Sequence, residues 1–274
     1  MEIQLWRELL DPYSQAVSEV ELKLNNVIRE FHRKNRYCPI VQVSGRVKSV
    51  SSILEKMQRK NISFDSLTEE MEDIAGIRVV CHFVEDIDTA IILIQNRSDM
   101  VIRQYKDYMT EHKKSGYRSY HLVVDYTVQT LDGPRTLPVE IQIRTIAMDF
   151  WATSEHFLQY KYKGQLPKHV AGQLQRIAEA TEVLDNEMMK VRNDVMDAEI
   201  DSQLRSSLVS DILNTLENLF RKKNQREVIK IQEEFYRIYC MNDLEELQHF
   251  HDQLDLLSED NRTQSVQSKD GEEI

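Results

Sequence analysis

Apolar residues along this chain switch between two spacings. Over residues 3–33, Leu5, Leu9, Val17, Val20, Leu24 and Ile28 recur one or two helical turns apart, which predicts a helix. Val50, Ile53, Leu54 and Met57 mark a second apolar face and predict a helix over 46–60. The run "GIRVVCHFV" is dense in β-branched and aromatic residues and reads as a buried strand. A helix follows over 86–97, and then "MVIRQYKDY", "SYHLVVDYTVQ" and "RTLPVEIQIRT" read as strands. The turn "LDGP" joins the last two. The stretch "AMDFWATSEHFLQYKY" is helical again.

Beyond Pro167 the pattern stays helical. Leu174, Ile177, Thr181, Leu184, Met188, Val191 and Val195 recur at steps of three and four, as in a packed or partly coiled helix. Shorter amphipathic stretches follow at 207–220, 226–239 and 243–257. The final "SEDNRTQSVQSKDGEEI" has no apolar repeat and is expected to be disordered. The predicted fold is α/β or α+β: a mixed sheet flanked by helices, without a doubly wound signature. Three segments are expected: a domain over 1–200, a helical appendage over 201–257 and an acidic tail over 258–274.

Charge narrows the function. A formal charge of −11 disfavours a protein that coats duplex nucleic acid, which needs a basic surface. A local basic pocket for a small polyanion remains open. The three cysteines, Cys38, Cys81 and Cys240, are far apart and show no metal-ligand spacing, as expected of free thiols in a reducing compartment. No signal peptide and no membrane span can be read, so a cytoplasmic protein is expected.

Against that acidic background, residues 45–60 hold five bases and one acid. Lys48, Ser52, Lys56 and Arg59 or Lys60 fall on one helical face, and Arg46 stands at its entry, where free backbone N–H groups also favour anions. The arrangement suits a triphosphate cradle; a solvated basic face is the plainer alternative. No GxxxxGK[ST] loop and no GxGxxG run is present. Asp73 precedes a buried strand, where it could cap a helix or reach a sheet edge. In "VEIQIRT", alternation puts Val139, Ile141 and Ile143 on one face and Glu140, Gln142 and Arg144 on the other. If the apolar set faces the core, Glu140 and its neighbours face a cleft. Two carboxylates near phosphate-binding bases are what Mg²⁺ needs, although Glu140 and Arg144 could equally be an exposed ion pair. The stretch "HKKSGYRSYHLVV" sets Lys113, Lys114, Arg118 and His121 around a glycine and two tyrosines. Cations for phosphate and the Tyr117 ring for a base suit a nucleotide or a single-stranded nucleic acid.

Five segments in order, "GRVKSVSSILEKMQRK", "EDIAGIRVVC", "KDYMTEHKKSGYRSYHL", "VEIQIRTIAMDFWATSEH" and "YKYKG", resemble the synthetase domain of RelA/SpoT homologues. In detail they are similar to the small alarmone synthetases of the RelQ type, over about residues 1–200. The resemblance implies a nucleotidyltransferase-like sheet and transfer of the β,γ-diphosphate of ATP to the 3′-hydroxyl of GTP or GDP. It implies that Arg46, Lys48, Ser52, Lys56, Arg59 and Arg78 hold ATP. Asp73 and Glu140 would hold Mg²⁺, with Glu140 also helping to deprotonate the attacking hydroxyl. Lys106, Lys113, Tyr117, His121, Gln142 and Asp149 would line the acceptor site, and the assembly would be a homotetramer. Two other readings use the same residues. One is a regulator that binds single-stranded RNA in the same cleft, for which the paired acids would be a handicap. The other is a pyrophosphokinase acting on adenine nucleotides or tRNA ends.

Overall fold

The structure is a computed structural model that describes residues 2–110, 115–162, 167–222 and 225–267. It divides into two compact units, Met1–Lys190 and Val191–Ile274. The first unit opens with α1 (Glu2–Arg33), β1 (Ile40–Val47), α2 (Val50–Lys60) and the short α3 (Leu67–Glu70). It continues through β2 (Ala75–Cys81), α4 (Val84–Gln95), β3 (Val101–Asp107), β4 (Tyr120–Thr130), β5 (Gly133–Thr145) and α5 (Ile146–Lys161). A long helix, α6 (Lys168–Lys222), begins in the first unit and ends in the second, where α7 (Gln225–Met241) and α8 (Leu244–Gln267) follow it.

The five strands form one mixed sheet in the order β1-β2-β5-β4-β3. Only the β2–β5 pairing is parallel. Alternation sorts the two faces as the sequence predicts. Ile77, Val79, Leu122, Val124, Val139, Ile141 and Ile143 are buried in the core, where they meet Tyr13, Ala16, Val17, Val20 and Leu24 of α1 and Ile87, Ala90 and Ile94 of α4. The opposite face carries the polar row. Residues paired in register share a face, so Ser44, Arg78, Gln142, His121 and Lys106 form one line across all five strands. Arg46, Gly76 and Glu140 form the neighbouring line.

Two elements differ from the pattern read in the sequence. The helix expected over 46–60 begins only at Val50, because Arg46 and Val47 end strand β1. Ser49 then caps α2 by accepting a bond from the Ser52 N–H. At the other end of the chain, α8 runs to Gln267, ten residues past the amphipathic stretch, and residues 268–274 of the tail expected to be disordered lie outside the described residues. An established helix adds residues at small cost even without an apolar face, since propagation needs no new nucleus.

The periodic stripe on α6 also differs. Leu174, Ala178 and Asp185 are its buried positions in the first unit, whereas Ile177, Leu184 and Met188 are exposed. Small Ala178 sits where Gly116 approaches, and packing chose that side over the more apolar one. The second unit has a core of its own. Leu208, Ile212, Leu216 and Leu219 of α6 meet Val228, Phe235 and Ile238 of α7 and Leu247, Phe250 and Leu254 of α8. The amphipathic stretches of the appendage therefore bury one another within the same chain.

Candidate active site

The strand ends and loops around the polar face of the sheet bring most of the sequence-derived candidates together. Lys48 follows β1 and is fixed by its N–H to the Ile74 carbonyl at 2.8 Å. Lys56 lies two turns along α2. Both ammonium groups converge on Asp73 Oδ2, at 2.8 and 2.7 Å. Burial, the largest influence on Asp73, pushes its carboxyl up, but the bonds from Lys48 and Lys56 outweigh it and hold the group below the usual carboxylate range. Asp73 Oδ1 is buried and makes no hydrogen bond. A buried carboxylate oxygen left without a donor is costly, unless a ligand completes it.

Glu140 stands on β5 and feels the charge of Asp73, which works to raise its carboxyl. Burial pushes Glu140 up most, yet bonds from His121 and Gln142 leave it below the ordinary glutamate value. Those bonds belong to a closed circuit. His121 Nδ1 lies 3.0 Å from Glu140 Oε1, and Gln142 Nε2 donates to Glu140 Oε2 at 2.8 Å. Arg144 Nη2 donates to Gln142 Oε1 and to the Tyr117 hydroxyl, each at 2.7 Å. The Tyr117 hydroxyl returns to His121 Nε2 at 2.8 Å. Since Tyr117 already accepts from Arg144, its proton is assigned to His121 Nε2, so His121 donates from Nδ1 to Glu140. Alternation on β5 and pairing with β4 place Glu140, Gln142, Arg144 and His121, and the segment before β4 adds Tyr117.

Asp73 Oδ1, which has no partner, and the two Glu140 oxygens, each with one donor and a lone pair to spare, suit a hard divalent cation. Among the described residues no group of three or more His, Cys, Asp or Glu could cage an ion alone. Mg²⁺ does not require one, since it is commonly held by one or two carboxylates plus substrate phosphates. Asp73 and Glu140 therefore fit the ion the sequence implied.

The remaining candidates divide by position. Ser52 accepts from the Ser49 hydroxyl at 2.9 Å in the first turn of α2, and Arg59 is exposed in its last turn. Arg46 is exposed near the end of β1. Arg78 is not given over to phosphate alone: its Nε pairs with Asp149 Oδ1 at 3.2 Å, and Arg144 Nη1 reaches the same oxygen at 3.3 Å. Asp149 lies in the first turn of α5, where an acid also complements the helix dipole. Lys106 extends the polar row and pairs with Glu72 at 2.9 Å. Lys113 lies outside the described residues.

Tyr117 differs from the loop aromatic expected. Its ring lies against Trp151, Tyr108 and His121 at centroid distances of 6.5, 5.9 and 5.9 Å. The Arg144 guanidinium also sits 5.2 Å from its centre. Burial pushes its phenol up. A ring held this way is fixed in place rather than free on a loop edge. Arg144 is the residue that sequence reasoning undervalued: the same alternation that put Glu140 and Gln142 on the polar face put it there too, where it is buried. His156 was missed as well. Burial chiefly, then the charges of Arg46, Arg78, Lys48 and Arg144, hold its imidazole below the ordinary histidine value, which places it beside the basic cluster.

A family model described as a region found in RelA / SpoT proteins matches residues 45–165, the span that carries every one of these site residues. The chain is 47% identical over 199 residues to the GTP pyrophosphokinase YjbM of Bacillus subtilis, covering 73% of this chain and 94% of the relative. It is 35% identical over 192 residues to YwaC, a second GTP pyrophosphokinase of that organism, covering 69% and 91%. Among solved structures, small alarmone synthetase 1 from Bacillus subtilis bound to its product pppGpp aligns with a TM-score of 0.68 at 47% identity, over 70% of this chain and 98% of that one. The same enzyme bound to AMPCPP aligns at 0.63 and 43% identity, over 71% and 99%. On its sequence, its fold and the residues gathered on the polar face of its sheet, the chain belongs to the RelA/SpoT family.

Proposed function

We propose that the chain is a GTP pyrophosphokinase that moves the β,γ-diphosphate of ATP to the 3′-hydroxyl of GTP or GDP and releases AMP, with Mg²⁺ as cofactor. The observation that carries this reading is Asp73: one oxygen bonded to Lys48 and Lys56, the other buried without a partner, and Glu140 close enough to feel its charge. Relatives named GTP pyrophosphokinase support it, as do a relative's structures with pppGpp and with the ATP analogue AMPCPP.

Lys48, Lys56 and Ser52, with Arg46 and Arg59 from the exposed rim, bind the phosphates of ATP. The row Gln142, His121 and Lys106 holds the acceptor, and Lys113 is assigned to the same nucleotide on its place in the motif alone. The 3′-oxygen bonds to the β-phosphorus as the bond from that phosphorus to the α-phosphate oxygen breaks. The electron pair departs with AMP, and the hydroxyl proton passes to Glu140. Because Glu140 is held below its ordinary value, it is a weak base. Its larger task is orientation, as expected for phosphoryl transfer, where positioning and charge dominate. A Mg²⁺ on Asp73 and Glu140 would supply charge neutralisation for the transferred phosphates.

Chromatography of a reaction with ATP, GTP and Mg²⁺ tests the reading: AMP and a guanosine product should form in equal amounts, and EDTA should stop both. AMP formation that ignores GTP would refute it. The homotetramer implied by the family is tested by sedimentation, where a mass near that of one chain would oppose it. Among the described residues no helix is long and apolar enough to cross a membrane.

The acceptor base yields a specificity prediction. An ionised Asp149 only accepts, and guanine offers N1–H and N2–H₂ side by side. Both arginine bonds fall on Oδ1, so Oδ2 is the oxygen proposed to meet the base. Losing the partner of a buried polar group costs about ten-fold or more in specificity. ITP, which lacks the 2-amino group, should therefore be a clearly poorer acceptor than GTP, and Asp149→Ala should narrow the gap. Equal kcat/KM for GTP and ITP in the wild type, unchanged by Asp149→Ala, would remove Asp149 from the site.

The appendage yields another. All proposed site residues lie in the first unit, and the second has a separate core. Ending the chain after Ile200 should leave turnover within about three-fold of the full chain, as expected when a domain folds on its own core, while solubility or assembly changes. A truncated, monodisperse protein without activity would contradict this.

A further inference from the structure

The segment bearing Tyr117 is seated on the first turns of α6. Gly116 has φ +84°, and a Cβ built there would collide with the Ala178 Cβ, so the backbone lies directly on the helix at that residue. Next to Tyr117, Arg118 turns inward and is 8% exposed. Its Nη1 lies 3.5 Å from Oδ2 of Asp185, which is 5% exposed on α6. Asp185 Oδ2 also accepts a bond from Thr145 Oγ1 at 3.1 Å, at the junction where β5 passes into α5. Thr145 in turn accepts from the Met148 N–H at the start of α5. Trp151, one turn further along α5 and beside the Tyr117 ring, donates to the Leu174 carbonyl of α6 at 2.9 Å.

The charges explain why Asp185 matters more than its single bond. Arg118 Nε and Nη1 are buried without a hydrogen-bond partner, and among the described residues Asp185 is the carboxylate paired with this guanidinium. A buried charge deprived of its counter-charge moves to water if it can. Arg118 cannot do so without displacing Tyr117, its neighbour in the chain. Burial chiefly, with the charge of Glu182 adding to it, holds the Asp185 carboxyl above the usual aspartate value, and the bond from Thr145 and the charge of Arg118 pull the other way. Lys48, Lys56, Arg59 and Asp73 form no part of this cluster. Asp185 also lies twenty residues beyond position 165, where the match to the family region ends.

We propose that Asp185 is a positioning residue for the acceptor nucleotide: through Arg118 and Thr145 it ties the Tyr117 loop and the β5–α5 junction to α6, fixing the face on which the acceptor sits. This rests on the function proposed above. A displacement of about 1 Å in a binding group can cost one to two orders of magnitude. Asp185→Asn removes the charge and keeps the shape. It is expected to raise the KM for GTP about ten-fold, leaving the KM for ATP unchanged and kcat at saturating GTP within about three-fold. Arg118→Gln combined with Asp185→Asn removes both charges and should recover most of the loss, which a purely structural role for Asp185 would not require.

Binding of a fluorescent GTP analogue to the full-length protein without ATP is the second readout, and it needs no turnover. Wild-type binding weakened in Asp185→Asn and regained in the double variant supports the proposal. Wild-type binding with an equal affinity in Asp185→Asn overturns it alone. Equal losses for ATP and GTP, or a lowered melting temperature with unchanged GTP affinity, also overturn it. A wild type that binds no GTP overturns the function itself and this proposal with it.

Discussion

Asp73→Asn lowers turnover by ~10²-fold or more, the loss usual when a charge aimed at the reacting centre is removed. The amide keeps the shape of the side chain but cannot neutralise Lys48 and Lys56, which both bond Oδ2. If its nitrogen takes the Oδ2 position, it turns two N–H groups toward two ammonium ions. If its oxygen does, the nitrogen occupies the unpartnered Oδ1 position, where a cation could not be bound. Either orientation damages the phosphate side of the site, so kcat falls while the acceptor KM stays near that of the wild type. Saturation kinetics in both nucleotides, with a melting curve to show that the fold survives, measure the effect. Near wild-type turnover would mean that the two-carboxylate site is wrong.

Glu140→Gln is expected to cost a similar ~10²-fold, with an additional signature. Glu140 accepts from His121 on one oxygen and from Gln142 on the other. An amide can satisfy only one of these donors. Placing its NH₂ against the Gln142 NH₂ forces that side chain to turn, which breaks the bond to Arg144 and reaches Tyr117 through the ring. The acceptor KM should therefore rise along with the fall in kcat, unlike in Asp73→Asn. Identical kinetic signatures for the two variants would show that the hydrogen-bonded ring does not reach the acceptor side.

Most of the sheet was legible because alternation is a local property. "VEIQIRT" alone separates Val139, Ile141 and Ile143 from Glu140, Gln142 and Arg144, and the structure buries the first three and rings the others. Strand β1 was not legible. "IVQVSGRV" mixes Ser, Gly and Arg into its second half, and its pairing with β2 rather than its own pattern makes it a strand. Arg144 was visible on the polar face, yet nothing local distinguishes a hub from a surface ion pair. Its partners Tyr117 and Asp149 come from a separate loop and helix. The seating of Tyr117 was hidden for the same reason, since Tyr108 and Trp151 lie far from it in sequence or across the sheet. On α6 the more apolar stripe is not the buried one, because a close approach at Gly116 selected the side bearing Ala178 and Asp185. An acid spaced seven residues after a buried alanine was the available signal.

The position of an isotopic label tests the central claim most directly. The full-length protein is incubated with GTP, Mg²⁺ and ATP labelled on the β-phosphate, and the products are separated. Diphosphate transfer predicts that the label moves wholly to a guanosine product and that AMP emerges unlabelled in equal amount. Label retained in ADP, or released as free pyrophosphate with GTP unchanged, would contradict it.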